Sequence, residues 1–175
     1  MYNFISGRVI TRQEWKGGDA EQSDETLPQP ASHVVLQQTL TDPCSTEEDC
    51  RNFMRDSPDV WSNFYIGGDG NAYEGTGWDL MVGTINVDVS NTSVTVTFIG
   101  TYVSVLPSDD QVLAFRQLLI QGVSTGKISD DYQLLADPQY PQFSLLQMLN
   151  TTQEVPSEYK YNITNDEYKY NITSD

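Results

Sequence analysis

Few residues in this chain have the types and spacing that chemistry requires. His33 is the only histidine, and Cys44 and Cys50 are the only cysteines. One imidazole and two thiols cannot complete a four-ligand Cys/His zinc site. Ser-His-Asp chemistry at His33 is formally open, but no serine elbow between a strand and a helix accompanies it. His33 begins the apolar run Val34-Val35-Leu36, which favours a structural histidine at a strand's start. Glu47, Glu48 and Asp49 are three carboxylates in a row. Placed just after Ser45, they suit the first turn of a helix, where free N–H groups favour negative charge. That reading fits them better than a pair of catalytic carboxylates.

Composition narrows the classes further. The 175 residues suffice for one domain with a proper core, and 38% apolar against 19% charged residues describe a folded body. Net charge is −16, from 25 acidic and 9 basic residues. Such a surface repels phosphate backbones and anionic membranes, so nucleic acid is not an expected partner. No apolar run approaches the ~20 residues of a membrane span, and Met1 to Gly7 lacks the basic start and apolar core of a signal peptide. Any membrane attachment is expected to come from a segment outside this chain. Four Asn-x-Ser/Thr sequons occur, at Asn91, Asn150, Asn162 and Asn171. Together they favour an extracellular setting. The two cysteines read either as free thiols of a cytosolic chain or as one short bridge, and the sequons favour the bridge.

The elements that position these residues follow from patterning. Val9 to Arg12 is a short lead-in before Trp15, and Lys16 to Pro30 reads as a surface loop. His33–Thr39 is a strand whose continuous apolar centre predicts burial on both faces. Ser45 and Glu48 form a capping box for a helix to Asp56, with Phe53 and Met54 inward and Arg51 and Arg55 on the exposed side. Phe64–Ile66 and Ala72–Glu74 flank Gly67-Gly68-Asp69-Gly70-Asn71, a hairpin turn cluster. Asp79 to Val89 is irregular. Ser93–Gly100 alternates with period two, placing Val94, Val96 and Phe98 on one face and Thr95 and Thr97 on the other. Thr95 and Thr97 line a groove or meet solvent. Ser108 and Gln111 cap a second helix with Val112, Phe115, Leu118 and Leu119 as its stripe and Gly122 at its C-cap. Tyr132–Leu135 is a strand and Phe143–Leu149 a last helix. Residues 151–175, which carry a nine-residue repeat twice, are expected to form a flexible tail beyond a domain at 1–150. The sum is an α/β fold, with a mixed central β-sheet flanked by helices around Val34–Leu36 and Val94–Ile99.

An ordered set of motifs carries a resemblance. Ile10-Thr11-Arg12-Gln13-Glu14-Trp15, Leu27-Pro28-x-Pro30 and Val34-Val35-Leu36-x-x-Thr39 come first. Then come Cys44-x5-Cys50, Phe64-x-Ile66-Gly67-Gly68-Asp69-Gly70-x-x-Tyr73-Glu74-Gly75-x-Gly77-Trp78 and Tyr132-x-Leu134-Leu135. The set resembles the peptidoglycan recognition protein family over Val9 to Leu149. The resemblance implies the phage-type amidase fold with an open groove, and it implies that Cys44 and Cys50 are bonded. Many members are zinc amidases that cut the muramyl lactyl–alanine bond, with two histidines and a cysteine on the metal and a tyrosine nearby. Position by position, this chain departs from that pattern. Gln37 stands at the first ligand, Asp137 at the second, Tyr140 at the third and Ser62 at the tyrosine. The glutamine amide oxygen is neutral and a poor zinc ligand, and Asp137 alone cannot hold the ion. The expectation is therefore a chain with no cofactor and no catalytic residues.

What remains by resemblance is recognition, as in the family's insect receptor ectodomains outside a single membrane span. The expected ligand is a diaminopimelic-type muropeptide, presented by a homologous domain. Groove or partner-contact candidates are Gln38, Thr39, Trp61, Asn63, Phe64, Thr76, Trp78, Asp79, Leu80, Thr84 and Ile85. Thr76 replaces the family's arginine between the glycines, Ile85 its histidine, and one extra residue follows Trp78 at the groove wall. Alternative readings are an active zinc N-acetylmuramoyl-L-alanine amidase with an unrecognised metal site, and an interaction module without ligand affinity. Secreted protein should carry glycans, with Asn91 and Asn150 as the ordered sites, and should offer no alkylatable thiol. Intact mass before and after deglycosylation, with and without alkylation, checks both, and two alkylated thiols would contradict the bridge.

Overall fold

Parallel pairing of two inner strands organises the chain. The computed structural model describes residues 7–17, 25–56, 62–82 and 89–136. In chain order the elements are β1 (Val9–Ile10), α1 (Arg12–Lys16), β2 (Ala31–Gln38), α2 (Glu47–Asp56), β3 (Phe64–Ile66), β4 (Ala72–Glu74), a 3-10 turn (Ser90–Thr92), β5 (Ser93–Phe98), α3 (Asp109–Ser124) and β6 (Ile128–Ala136). They build one six-stranded sheet of order β1-β4-β3-β5-β2-β6. Only the β3–β4 hairpin is antiparallel; the other pairs are parallel. β2 and β5 pair in register from His33↔Ser93 to Gln38↔Phe98.

Alternation along these strands sorts the side chains into two layers. Val34, Leu36, Phe64, Ile66, Val94, Val96 and Phe98 meet Val112, Phe115, Leu118 and Leu119 of α3. Ile10, Tyr65 and Tyr73 meet Trp15 of α1 and Met54 of α2 on the other face. Val34, Val35 and Leu36 are all buried, as expected of an inner parallel strand.

Several local expectations change. The lead-in is a strand and a short helix: Thr11 and Glu14 form a capping box, and Gly17 ends α1 in the left-handed region at φ 79°. Five residues give too short a window for periodicity to show it. The indole of Trp15 donates to Glu74 O at 2.9 Å, which hooks α1 onto β4. At α2 the cap is Thr46 rather than Ser45, its Oγ1 accepting from Asp49 N at 3.1 Å. Helix and cap are each one residue later than the sequence pattern suggests. Arg51 and Arg55 are not idle surface groups. They donate to Glu14 O at 2.6 Å and Trp15 O at 2.8 Å, satisfying carbonyls at the end of α1. Met54 is buried and Phe53 packs at the edge of the second cluster.

Residues 25–30 are not merely a surface loop, because Thr26 pairs with Leu80 and Leu27 is buried. Gly122 is not a C-cap. It lies inside α3, where a Cβ would stand 2.7 Å from both Ile128 Cδ1 and Trp78 Cη2. Its role is close approach of helix to strand. It also opens a Gly-x-Ser-x-Gly spacing that ends at Gly126. That run leaves a helix rather than entering one, and Ser124 Oγ donates to Gln121 O at 3.0 Å, so no nucleophile elbow forms. β6 is longer than Tyr132–Leu135. The expected helix Phe143–Leu149, the boundary at 150 and the repeat tail lie outside the described residues.

Cys44 and Cys50 are bonded, with Cα atoms 5.1 Å apart. The bridge packs against the β3–β4 turn, where a Cβ on Gly68 would lie 2.1 Å from Cys44 O. That clash is with backbone, which a rotamer change cannot relieve. Gly68→Ala should therefore lower stability by about 2 kcal/mol or more. Thermal unfolding checks this, and an unchanged midpoint would mean the 42–44 segment is free to move away.

Candidate functional site

The face of the sheet opposite α3 carries polar side chains where α1 and α2 leave it. Strand alternation places Gln37 of β2 and Thr95 and Thr97 of β5 there, and Gln37 and Thr97 are paired neighbours. Ser62, just before β3, joins them. Ser62 Oγ is 2.7 Å from Thr97 Oγ1 and 3.2 Å from Thr95 O, and Thr97 Oγ1 is 3.4 Å from Gln37 Oε1. Two hydroxyl protons are shared among these three contacts: Ser62 donates to Thr95 O, Thr97 donates to the Gln37 amide oxygen, and either hydroxyl can donate in the contact between them. Ser62 and Thr95 are fully buried and Thr97 nearly so. The threonines thus belong to the floor rather than to open surface. Thr95 Oγ1 has no hydrogen-bond partner.

The wall beside this floor is held from within by Asn63. The residue is fully buried. Its Nδ2 donates to Thr76 Oγ1 at 3.2 Å, Gly77 O at 2.8 Å and Leu80 O at 2.9 Å, while its Oδ1 accepts from Thr95 N at 2.8 Å. Its backbone O accepts from Gly75 N and Gly77 N. One side chain therefore ties β5 to the loop 75–80. Phe64 and Trp78 pack with ring centroids 4.4 Å apart and planes tilted by 51°, on the α3 side of the sheet. Outside, Asp79 Oδ1 accepts from Lys127 Nζ and Gln29 Nε2, each at 2.6 Å, and Gln29 Nε2 also reaches Trp78 O at 3.2 Å. The lysine ammonium first, then the Gln29 amide, hold the Asp79 carboxyl below its ordinary range. Such a clamp strengthens above the ordinary carboxylate pKa and is released as pH falls through the lowered one. Leu27 N donates to Asp79 O at 2.8 Å and Met81 N to Glu25 O at 3.0 Å, so the wall is also stitched to 25–27.

The expected site residues therefore separate. Gln37 and Ser62 come together. Gln38 turns to the opposite face by strand alternation, and its Oε1 accepts from Tyr102 N at 2.6 Å. Thr39 ends the floor, with its Oγ1 accepting from Gly100 N at 2.9 Å. Asn63, Phe64 and Trp78 are supports rather than lining, Thr76 is held by Asn63, and Asp79 and Leu80 fix the wall. Trp61, Thr84, Ile85, Asp137, Tyr140, Asn150, Asn162 and Asn171 lie outside the described residues, while Asn91 is exposed on the 3-10 turn. His33 is structural: its Nδ1 lies 2.9 Å from Ser32 Oγ and 3.1 Å from Thr92 Oγ1. The Asn63 brace and the Lys127–Gln29 clamp had no sequence signal, since their partners are 13 to 98 residues away.

The floor presents neutral oxygens: those of Ser62, Thr97 and Gln37 are bonded to one another, and Thr95 Oγ1 is not. Among the described residues no group of three or more His, Cys, Asp or Glu side chains could hold a metal ion. The arrangement offers no charged ligand to a cation.

Comparison with known proteins places this geometry. A family profile described as N-acetylmuramoyl-L-alanine amidase matches residues 27–158. Peptidoglycan-recognition protein SA of Drosophila melanogaster is 34% identical over 160 residues, covering 85% of this chain and 78% of its own. The chain belongs to the peptidoglycan recognition protein family. Among solved family members, the ectodomain of the Drosophila transmembrane receptor PGRP-LCa superposes with a TM-score of 0.73 at 29% identity, over 82% of this chain and 97% of that one. The ectodomain complex of PGRP-LCa and PGRP-LCx bound to tracheal cytotoxin gives 0.72 at 27% identity, over 83% and 96%. The mixed sheet and its flanking helices are thus the family's fold.

Asn63 should be the residue on which the wall depends. Asn63→Ala would strand the Thr95 N–H and the Leu80 and Gly77 carbonyls, at a cost of about 3 kcal/mol or more. Denaturant unfolding measures this. A midpoint equal to the parent's would show that water replaces the amide without penalty.

Proposed function

We propose that this family member is a non-catalytic recognition domain: the extracellular part of an innate immune receptor for diaminopimelic-type peptidoglycan fragments, working by joining a related domain that holds the ligand. One observation carries the loss of catalysis. Where amidase members of the family are expected to hold zinc, Gln37, Ser62 and Thr97 are linked by neutral hydrogen bonds. An amide oxygen and two hydroxyls do not fit the thiolate and imidazole donors that such a zinc site uses. Asp137 and Tyr140, at the remaining two ligand positions, offer one carboxylate and a phenol.

Pairing has its own support. Thr76, in place of the family's arginine, gives no bidentate fork for a carboxylate. Its hydroxyl is already engaged by Asn63. The wall with its extra residue is tied at Asp79 to Lys127 and Gln29. A net charge of −16 further opposes an anionic fragment. Losing one charge-assisted contact and some shape fit costs about 3 kcal/mol, on the order of a hundredfold in affinity. PGRP-LCa, a structural relative, occurs in a complex of two ectodomains with tracheal cytotoxin. That assembly supports an analogous arrangement here, with the extracellular setting and the four sequons in keeping. The alternative, a zinc N-acetylmuramoyl-L-alanine amidase, is kept by the family profile alone.

Two measurements decide. Titration of a diaminopimelic muropeptide into the isolated domain should give no saturable heat, and binding tighter than about a micromolar would refute weak intrinsic affinity. Metal analysis should find no zinc, with no stem peptide released from peptidoglycan. One equivalent of zinc or measurable release would restore the amidase reading.

A further inference from the structure

One end of the sheet is unlike the rest of this acidic molecule. Among the described residues, the large apolar side chains left exposed are Leu40, Val103, Val105 and Leu106, at 44%, 48%, 64% and 54%. All four sit in two loops that follow β2 and β5 and are stitched together. Leu40 N donates to Gly100 O at 3.0 Å, and Thr101 Oγ1 donates to Thr41 O at 3.0 Å. Residues 34–41 and 89–108 contain no charged side chain, whereas the exposed Asp42, Asp109 and Asp110 border the patch.

Leu40 adds a second observation. Its φ is +58°, the left-handed region that glycine and asparagine occupy more easily than leucine. A branched aliphatic side chain is held outward at a position where a smaller polar residue would relax the backbone. Strain of this kind is found where a surface is used.

We infer that this patch is the docking surface for a ligand-loaded domain of the same family, one presenting an apolar spot bordered by lysine or arginine. The inference rests on the pairing proposed above and names the surface that does it. Three arguments select this occupant. The patch is continuous with the floor, since Thr39 Oγ1 accepts from Gly100 N and contacts Thr41 Oγ1 at 2.7 Å. A fragment seated by a partner at the groove's end would therefore lie beside it. The patch is also small. Four half-exposed aliphatic side chains offer roughly 300 Å², below the ~800 Å² per partner of a stable interface, so the contact needs the ligand as a second bond. Charge disfavours a second copy, because two acidic rims on chains of −16 would meet.

The test uses the PGRP-LCx ectodomain loaded with tracheal cytotoxin, followed by sedimentation velocity with the parent chain, Leu40→Asn and Leu106→Asp. Leu40→Asn relaxes the backbone while removing the apolar group. It should unfold at the same temperature or higher, yet bind the loaded partner about tenfold more weakly. Leu106→Asp, on an exposed loop, should do likewise, and association of the parent should weaken with salt. If the parent forms the complex and both variants match it, the surface is wrong while pairing stands. If the parent forms no complex, the pairing falls and this inference with it. If the parent instead dimerises with itself and Leu106→Asp abolishes that, the occupant is a second copy and the proposal is overturned.

Discussion

The in-register parallel pairing of β2 with β5 is the constraint on which the rest of the molecule depends. Six consecutive partners, His33↔Ser93 to Gln38↔Phe98, force the two strands to alternate together. Every apolar side chain sent toward α3 is then matched by a neighbour sent the other way. Val34, Leu36, Val94, Val96 and Phe98 fill one layer, and Gln37, Thr95 and Thr97 are left on the opposite face. A slip of one residue would bury the polar set under α3 and expose the valines. The polar floor is therefore a by-product of core packing.

The wall beside that floor is positioned by hydrogen bonds as well as by the burial of Trp78 against the core. Asn63 connects β5 to the loop 75–80 with side-chain and backbone groups together. Buried amides with all bonds made specify one geometry, because each broken bond leaves a desolvated partner. The disulfide and the Gly67–Gly68 backbone do the same for the segment after Thr39.

Charge is distributed to match. Arg8, Arg51 and Arg55 spend their guanidinium groups on Glu14, Glu47 and the carbonyl end of α1. Hydrogen bonds from Arg8 and from Thr11 lower the Glu14 carboxyl to about 2, so this corner stays paired in mild acid. Exposed pairs of this kind contribute little energy each, and here they mainly orient two short helices. With Lys127 clamped on Asp79, much of the scarce positive charge is committed internally. The surface that remains is acidic, and the neutral end of the sheet stands out against it.

Local patterns were enough to assign the class and much of the frame. A continuous apolar run located β2, period-two alternation located β5, the glycine cluster located the β3–β4 hairpin, and Ser108 with Gln111 capped α3 where the structure has it. The same residues, read as a resemblance, led to the family and to the Cys44–Cys50 bond. These features are encoded within a few neighbouring residues, so a sequence window contains their cause. Only the tertiary structure decided what each site residue does. Gln37 and Gln38 are neighbours in sequence, yet strand alternation sends one to the floor and the other under the helix-side loop. Asn63 looks like any polar residue before a strand until Thr76, Gly77, Leu80 and Thr95 converge on it. Gly122 has the look of a cap until Trp78 and Ile128 close on it. Each of these roles is set by a partner distant in sequence, and distance in sequence carries no local signal.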